Sequence, residues 1–394
     1  MYLTGTGWHL VGIPAGRSVS EEISNKPISI YWLLALDNDF AFPNGPTTGQ
    51  VSEVNDNSWN KLEYTQKVKE QTGVWIYYDE QKDYSWTLID QSFVDLNMND
   101  TYYRIDSPGR YKLVEDISLV SSATSHTHST LRYFDISSDH VLFDGNGFNI
   151  NITGINATNY VSGVFQSGTG GNPIISTSST YTNLNKPDSK GGSNITIQNV
   201  KVELHQGALC AAGHSMDGIL CKGWFGKWAR NVVIKNCSTK GCIWGTTQTQ
   251  VFTGRGGLMG AYCCSNFWYF ADEVTMRIEN CHTDVAFQYN TQWSGGLTGQ
   301  GSAYYNGNLT IENCYTLGSM QGTYSSGFLA GKAASFNGKI TCRNCYSLTN
   351  FCGDKSSGFV GYESAHLNTP SDWGAKIELI NCYSLGFNVF INES

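Results

Sequence analysis

Thr310-Ile311-Glu312-Asn313-Cys314-Tyr315-Thr316 (TIENCYT) is one copy of a phrase that occurs five times in the second half of this 394-residue chain. The other copies are Val233–Thr239 (VIKNCST), Arg277–Thr283 (RIENCHT), Thr341–Ser347 (TCRNCYS) and Glu378–Ser384 (ELINCYS). Each is a short alternating run that closes on Asn-Cys. Gly-rich phrases answer them: Gly256–Gly260 (GGLMG), Gly295–Gly299 (GGLTG), Gly327–Gly331 (GFLAG) and Gly358–Gly361 (GFVG). Self-similarity at a few tens of residues is the mark of a solenoid, whose units bury an apolar face only by stacking on one another. From Leu309 to Asn313 apolar and polar residues alternate, so one face of a strand points inward.

Counting outward from that copy, the equivalent asparagines are Asn199, Asn236, Asn280, Asn313, Asn344 and Asn381, spaced by 37, 44, 33, 31 and 37 residues. Units this long carry loops on at least one side, and Ser167–Gly192, rich in Ser, Thr, Gly and Pro, is the longest excursion. The asparagines are expected at an inward bend of each rung, where stacked amides satisfy one another along the axis. Asn236 also opens an Asn-x-Ser glycosylation triplet, and an inward position predicts that it stays unmodified. The Gly-rich phrases are expected to supply a second strand and a turn.

The chain has 12 cysteines, the first of them Cys210. Cys237, Cys281, Cys314, Cys345 and Cys382 share one position of the repeat, which predicts a ladder of small buried thiols. Disulfides are the alternative, with Cys342 and Cys352, or Cys263 and a neighbour of Cys264, as pairs. Cys342 and Cys345 form a C-x-x-C, but no second pair or suitably spaced histidines complete a zinc site. His126-Thr127-His128 likewise lacks a third ligand. No metal and no cofactor is expected.

Composition narrows the rest. Net charge is −8, charged residues are 15 % of the chain and aromatics 13 %, with 43 glycines. This suits an all-β protein with many turns. Mild acidity and the lack of a basic run argue against nucleic acid. The longest apolar run, Ile28–Leu36, is too short to span a bilayer. Met1 is followed by YLTGTGWHLVGIPAG, which has no basic segment and no continuous apolar core of a secretory leader, so export by that route is not expected.

The first hundred residues lack the repeat and lack cysteine. Trp8–Ile13, Ile28–Leu36, Gly73–Tyr78 and Tyr84–Ile89 read as strands, and Ser58–Val68 reads as a helix with poor apolar spacing. The expected organisation is a small β-rich, sandwich-like domain over 1–100, then the solenoid over 101–394.

Tyr102–Leu119 (YYRIDSPGRYKLVEDISL) and Tyr133–Ile155 (YFDISSDHVLFDGNGFNINITGI) resemble the first rungs of right-handed parallel β-helix proteins. The phrases SGGLTG and SSGFLAG are similar to Gly-Leu-rich repeats of bacterial adhesins and of surface proteins of giant DNA viruses. The resemblance covers roughly residues 102–394. GWHLVGIPAG and TGVWIYY more loosely resemble a small β-domain that precedes such helices. The resemblance implies a right-handed parallel β-helix and a structural or adhesive role at a virion surface, or alternatively at a cell surface or in the extracellular space.

Many β-helices cleave polysaccharides, so an enzyme is a reading to weigh against the residues. His214 and Asp217, in Gly-His-Ser-Met-Asp, are the nearest to a catalytic pair. Asp272, Glu273, Glu279, Asp284 and Glu312 lie in the repeat region, with Glu279 and Glu312 at equivalent outward positions. Solvated surface carboxylates explain them, because inverting hydrolysis needs two carboxyls facing across a cleft. Trp224, Trp228, Trp244, Trp268, Tyr269, Trp293 and Trp373, with Tyr304 and Tyr305, fall between the repeated strands. They are candidates for contact with glycans or a partner, against the alternative that the loops bury their own rings. Phe387, Val389, Phe390 and Ile391 follow the last repeat with no polar cap, and are expected to meet another copy of the chain or a different structural protein. The expected function is therefore non-enzymatic: a structural or adhesive protein that assembles with itself or other structural proteins and binds glycans. A polysaccharide lyase or glycoside hydrolase is the first alternative and a bacterial cell-surface adhesin the second.

Overall fold

A computed structural model of the protein describes residues 7–13, 29–33, 59–61, 72–78, 86–98, 102–119, 132–152, 163–167, 192–205, 208–210, 217–245, 252–266, 273–323, 325–330, 333, 337–352, 356–361, 364–365 and 374–386. The chain divides into two compact units, Met1–Trp86 with Pro108–Arg110, and Thr87–Ser107 with Tyr111–Ser394.

The first unit contains a four-stranded antiparallel sheet in the order Gly7–Ile13, Thr72–Tyr78, Ser29–Leu33, Trp59–Lys61. Trp59–Lys61 corrects the helix expected over Ser58–Val68. Trp59 pairs with Leu33 and Lys61 with Tyr31. Without an apolar stripe at helical spacing, cross-strand pairing of a large aromatic decides the local structure. The remainder of that segment lies outside the described residues.

The second unit is an all-β parallel solenoid. Its first long sheet runs, from the C-terminal rung back, through Lys376–Ile380, Lys339–Arg343, Gly307–Glu312, Val274–Glu279, Val232–Lys235, Thr196–Gln198, Val141–Asp144, Gly109–Leu113 and Thr87–Ile89. Its second includes Tyr383–Ser384, Tyr346–Ser347, Tyr315–Thr323, His282–Gln292, Ser238–Gly245, Lys201–Leu204, Asn149–Ile152 and Ile117–Ser118. A third sheet pairs Tyr102–Ile105, Tyr133–Ile136 and Phe165–Ser167 in parallel. Pairing between copies of the repeat is in register: Ile234 with Ile278, Ile278 with Ile311, Ile311 with Cys342 and Cys342 with Leu379. Inward positions are closed to solvent, and Ile234, Ile278, Ile311 and Cys342 are all 0 % exposed. A one-residue slip would turn this whole row outward, so the alternating pattern sets the register.

Each repeated asparagine forms the corner between the first and second sheets. Asn199, Asn236, Asn280, Asn313, Asn344 and Asn381 all have left-handed backbones, with φ between 52° and 55°. Asn tolerates this region better than other residues with a Cβ. The corner turns its side chain outward, which corrects the expected inward placement: Asn236, Asn280, Asn313, Asn344 and Asn381 are exposed. The ladder itself is present. Asn236 donates through Nδ2 to Asn199 Oδ1 at 3.1 Å, and Asn280 to Asn236, Asn313 to Asn280, Asn344 to Asn313 and Asn381 to Asn344 each do so at 3.2 Å. The cysteine that follows each corner points the other way. Cys237, Cys281, Cys314 and Cys345 are fully buried, and the ten cysteines whose side chains are described are free thiols.

The Gly-rich phrases differ from expectation too. The second strand of the rung is the segment after Asn-Cys. The Gly-rich phrases instead make isolated parallel bridges, Gly256 to Gly295, Met259 to Thr298 and Thr298 to Leu329. They place Leu258, Leu297 and Phe328 in the core. Gly296 shows why glycine is required: a Cβ there would run into the carbonyl oxygen of Gly327 in the next rung. Across the interior, the threonine two beyond the cysteine ties the two phrases together in three copies. Thr239 Oγ1 donates to Gly257 O and Thr283 Oγ1 to Gly296 O, both at 2.8 Å, and Thr316 Oγ1 donates to Gly327 O.

A short helix, Gln91–Asn97, was not foreseen. Asp90 caps it by accepting from the Phe93 N–H at 2.7 Å. No helix of the described residues is long and apolar enough to cross a membrane.

Candidate functional site

The repeat region offers no pair of facing carboxylates among its described side chains. Glu279 and Glu312 do stack on neighbouring rungs, but Arg277 lies between them, paired with Glu279 and 3.5 Å from Glu312. Arg343 pairs with Glu312 from the other side at 3.0 Å. Glu273 accepts from Asn308 Nδ2 at 2.8 Å. These are outward-facing residues of in-register strands, and opposite charges on adjacent strands neutralise each other along the axis. No three His, Cys, Asp or Glu side chains of the described residues converge as a metal site.

Of the sequence-level pair, His214 lies outside the described residues, as do His126 and His128. Asp217 is 3 % exposed, and its Oδ1 accepts the Gly223 N–H at 2.8 Å. Trp268, Tyr269, Trp373, Phe387, Val389, Phe390 and Ile391 also lie outside the described residues. Trp244 is described only through the backbone of Ser238–Gly245.

The described loop aromatics pack on the protein itself. Trp224 stacks on Tyr262 with centroids 4.3 Å apart. Lys227, 2 % exposed, sits between two indoles, with Nζ 4.7 Å from the Trp224 ring centre and 4.0 Å from that of Trp228. A desolvated cation over indole faces stabilises such a turn by about 2 kcal/mol. Tyr304 meets Tyr262 and Tyr305 edge-on. Trp293, like Trp224 and Trp228, is half-buried with a left-handed backbone.

A second aromatic row escaped the sequence reading because its members sit inside the repeat. His282, Tyr315, Tyr346 and Tyr383 stack face to face, with centroids 4.8, 5.0 and 5.4 Å apart. Faces stacked this closely cannot also receive a sugar ring, except at the open end of the row, where Tyr383 is 52 % exposed. That end belongs to the last described rung. Leu379 is 45 % exposed there and Leu385 65 %, although the residues paired with Leu379 through the earlier rungs are fully buried.

The least expected feature is a set of buried charges on the third sheet. Asp135 is 3 % exposed, Asp217 3 % and Lys222 2 %. Lys222 Nζ stands 3.3 Å from the centre of the Tyr133 ring and has no hydrogen-bond partner among the described residues. Asp135 Oδ2 accepts from Arg104 Nε at 3.2 Å, while Oδ1 has no described partner. Burial lowers the Lys222 amine to about 8, against the pull of Asp217 and Asp135. Burial also raises the Asp135 carboxyl, and the opposing effect of Arg104 does not cancel it. The Tyr133 hydroxyl is pushed far up, by burial first and then by Asp135. The only local signal in the sequence is a lysine inside the apolar run Ile219-Leu220-Cys221-Lys222-Gly223-Trp224-Phe225.

No known protein family matches the chain, and no curated protein matches it. Among solved structures, it is similar to a Bacteroides ovatus protein that is named provisionally as an immunoglobulin A1 protease. The two are 18 % identical with a TM-score of 0.44, over 80 % of this chain and 79 % of that one. A likeness at that level says nothing about activity.

Proposed function

We propose that the protein is a non-enzymatic structural or adhesive solenoid that associates with a second copy of itself through its last described rung. The observation that carries this reading is the exposure of Leu379, Tyr383 and Leu385 on the last described rung, although the residues paired with Leu379 on earlier rungs are buried. A rung edge of this kind presents unpaired backbone groups and apolar side chains together, which favours pairing with another chain. At that rung the asparagine row offers Asn381 Oδ1 as an acceptor, and the row of rings offers exposed Tyr383. The setting that accords with the repeat resemblance is a virion surface, with a cell surface as the second possibility. Glycans, if bound, would meet the end of the tyrosine row, since the other described rings face protein.

The test has two arms. In size-exclusion chromatography, the Leu379→Lys, Leu385→Lys double variant should elute later than the wild-type chain while keeping the same circular-dichroism spectrum. Identical elution of both as monomers would remove the proposed interface. In the second arm the wild-type chain is incubated with neutral and uronate-containing polysaccharides. New reducing ends or unsaturated uronates would establish the enzymatic alternative, and their absence is expected.

A further inference from the structure

Two strands of the third sheet, and the segment bridged to them at Cys221, bring an amine and a carboxylic acid into one buried column. Tyr133–Ile136 pairs in parallel with Phe165–Ser167, placing Gln166 opposite Asp135. Phe165 is bridged in parallel to Cys221, and the Lys222 N–H donates to the Phe165 carbonyl at 2.8 Å. Asp135, Gln166 and Lys222 therefore follow one another in a column across three rungs. Tyr133 shares the face of Asp135, because residues two apart on a strand project to the same side. Lys222 Nζ lies over the Tyr133 ring, so its side chain has already crossed the middle strand to that of Asp135.

Lys222, Asp135 and Asp217 are each at most 3 % exposed. Neither Lys222 Nζ nor Asp135 Oδ1 has a hydrogen-bond partner among the described residues. Buried ions without full hydrogen-bonding destabilise a fold strongly, and such groups tend to neutralise. The directions agree: burial lowers the lysine to about 8 and raises the aspartic acid, so each is moved towards its neutral form. A buried amine and a buried carboxyl in one column, each moved towards its neutral form and shielded from water, are the two partners that amide formation needs.

We propose that Lys222 and Asp135 join in an intramolecular amide bond that ties two rungs of the solenoid together covalently. The Nζ lone pair attacks Cγ of protonated Asp135 and forms the C–N bond. Asp217, held by the Gly223 N–H, takes a proton from the nitrogen and delivers it to the departing hydroxyl. One water leaves, and no oxidant, metal or cofactor takes part. Arg104, whose Nε is 3.2 Å from Asp135 Oδ2, stabilises the negative charge that develops on that oxygen during attack. Asp217 is a proton carrier here and does not become part of the bond. The product exchanges two buried ionisable groups for one amide. The bond does not depend on self-association, since a chain that stays monomeric can still form it.

The experiment is intact-mass spectrometry of the denatured full-length protein, followed by peptide mapping. The wild-type chain should be lighter than its sequence by one water. One tryptic species should join the peptides of Lys222 and Asp135. Lys222→Arg and Asp135→Ala should each have the full mass of their own sequences, and Asp217→Ala should show incomplete conversion. A wild-type chain at full sequence mass after prolonged incubation in the folded state would overturn the proposal. So would a lost water that maps to an Asp-Gly site such as Asp144-Gly145, or that persists in Lys222→Arg. The wild-type result stands whether or not the variants fold, and circular dichroism identifies any variant that does not.

Discussion

Asn313 illustrates how one residue serves the corner in two ways. Its left-handed backbone makes the turn between sheets, and its amide links Asn280 on one side to Asn344 on the other. Asn313→Ala should lose both features and destabilise the fold by about 1–2 kcal/mol, chiefly from the strained backbone. Asn313→Gly should cost less, because it restores the backbone and loses only solvent-facing hydrogen bonds. Urea unfolding of the two variants decides between this and a purely side-chain role, for which Gly would be as damaging as Ala. The repeat made the ladder legible in the sequence, but not the direction it faces. Alternation assigns faces within a strand, whereas a left-handed corner resets the phase between Asn313 and Cys314. The exposure of Asn236 also removes the reason for expecting its glycosylation triplet to stay unmodified.

The thiols one residue further on are the inward counterpart. Burial raises Cys314, and also Cys342 on the strand before the next corner, well above the ordinary thiol range, so less thiolate is present at neutral pH than for a free cysteine. In the native protein, iodoacetamide should modify half-buried Cys242 and Cys382 well before Cys314 and Cys342. Raising the pH should accelerate Cys382 before Cys314, because burial raises Cys382 above the ordinary thiol value but Cys314 well above it. Uniform labelling at neutral pH would mean that the rungs are open.

At the scale of elements, the interior contact between Thr283 and Gly296 couples the Asn-Cys phrase to the Gly-rich phrase. Thr283→Val keeps the shape and removes the donor, leaving a buried carbonyl unsatisfied. A loss of about 1–3 kcal/mol is expected in chemical unfolding. Gly296→Ala, which forces a Cβ against the Gly327 carbonyl, should cost a similar ~1–3 kcal/mol through overpacking. If both variants unfold like the wild-type chain, the two phrases do not hold each other. The Thr or Ser at this position is plain in all five copies, yet its partner is invisible in sequence because 11 to 18 residues separate donor from acceptor. Short elements were hard to see for a different reason. Gln91–Asn97 is too brief for a helical period to register, and Trp59–Lys61 is held by pairing with residues some thirty positions earlier.

Over the whole molecule, the stacking that makes the fold legible also removes most candidate chemistry from the repeat. Carboxylates at outward positions pair with arginines on adjacent rungs, and rings at repeat positions cover each other. The buried charges around Tyr133 were not legible, because Asp135 lies some eighty residues before Asp217 and Lys222 and meets them only through rung register. The exposed last described rung is the surface proposed to meet a second copy. Sedimentation velocity of the wild-type chain over a range of micromolar concentrations tests this most directly. A weight-average sedimentation coefficient that rises with concentration, and stays at the monomer value for the Leu379→Lys, Leu385→Lys variant, is the predicted result. A single monomeric species at every concentration would contradict it.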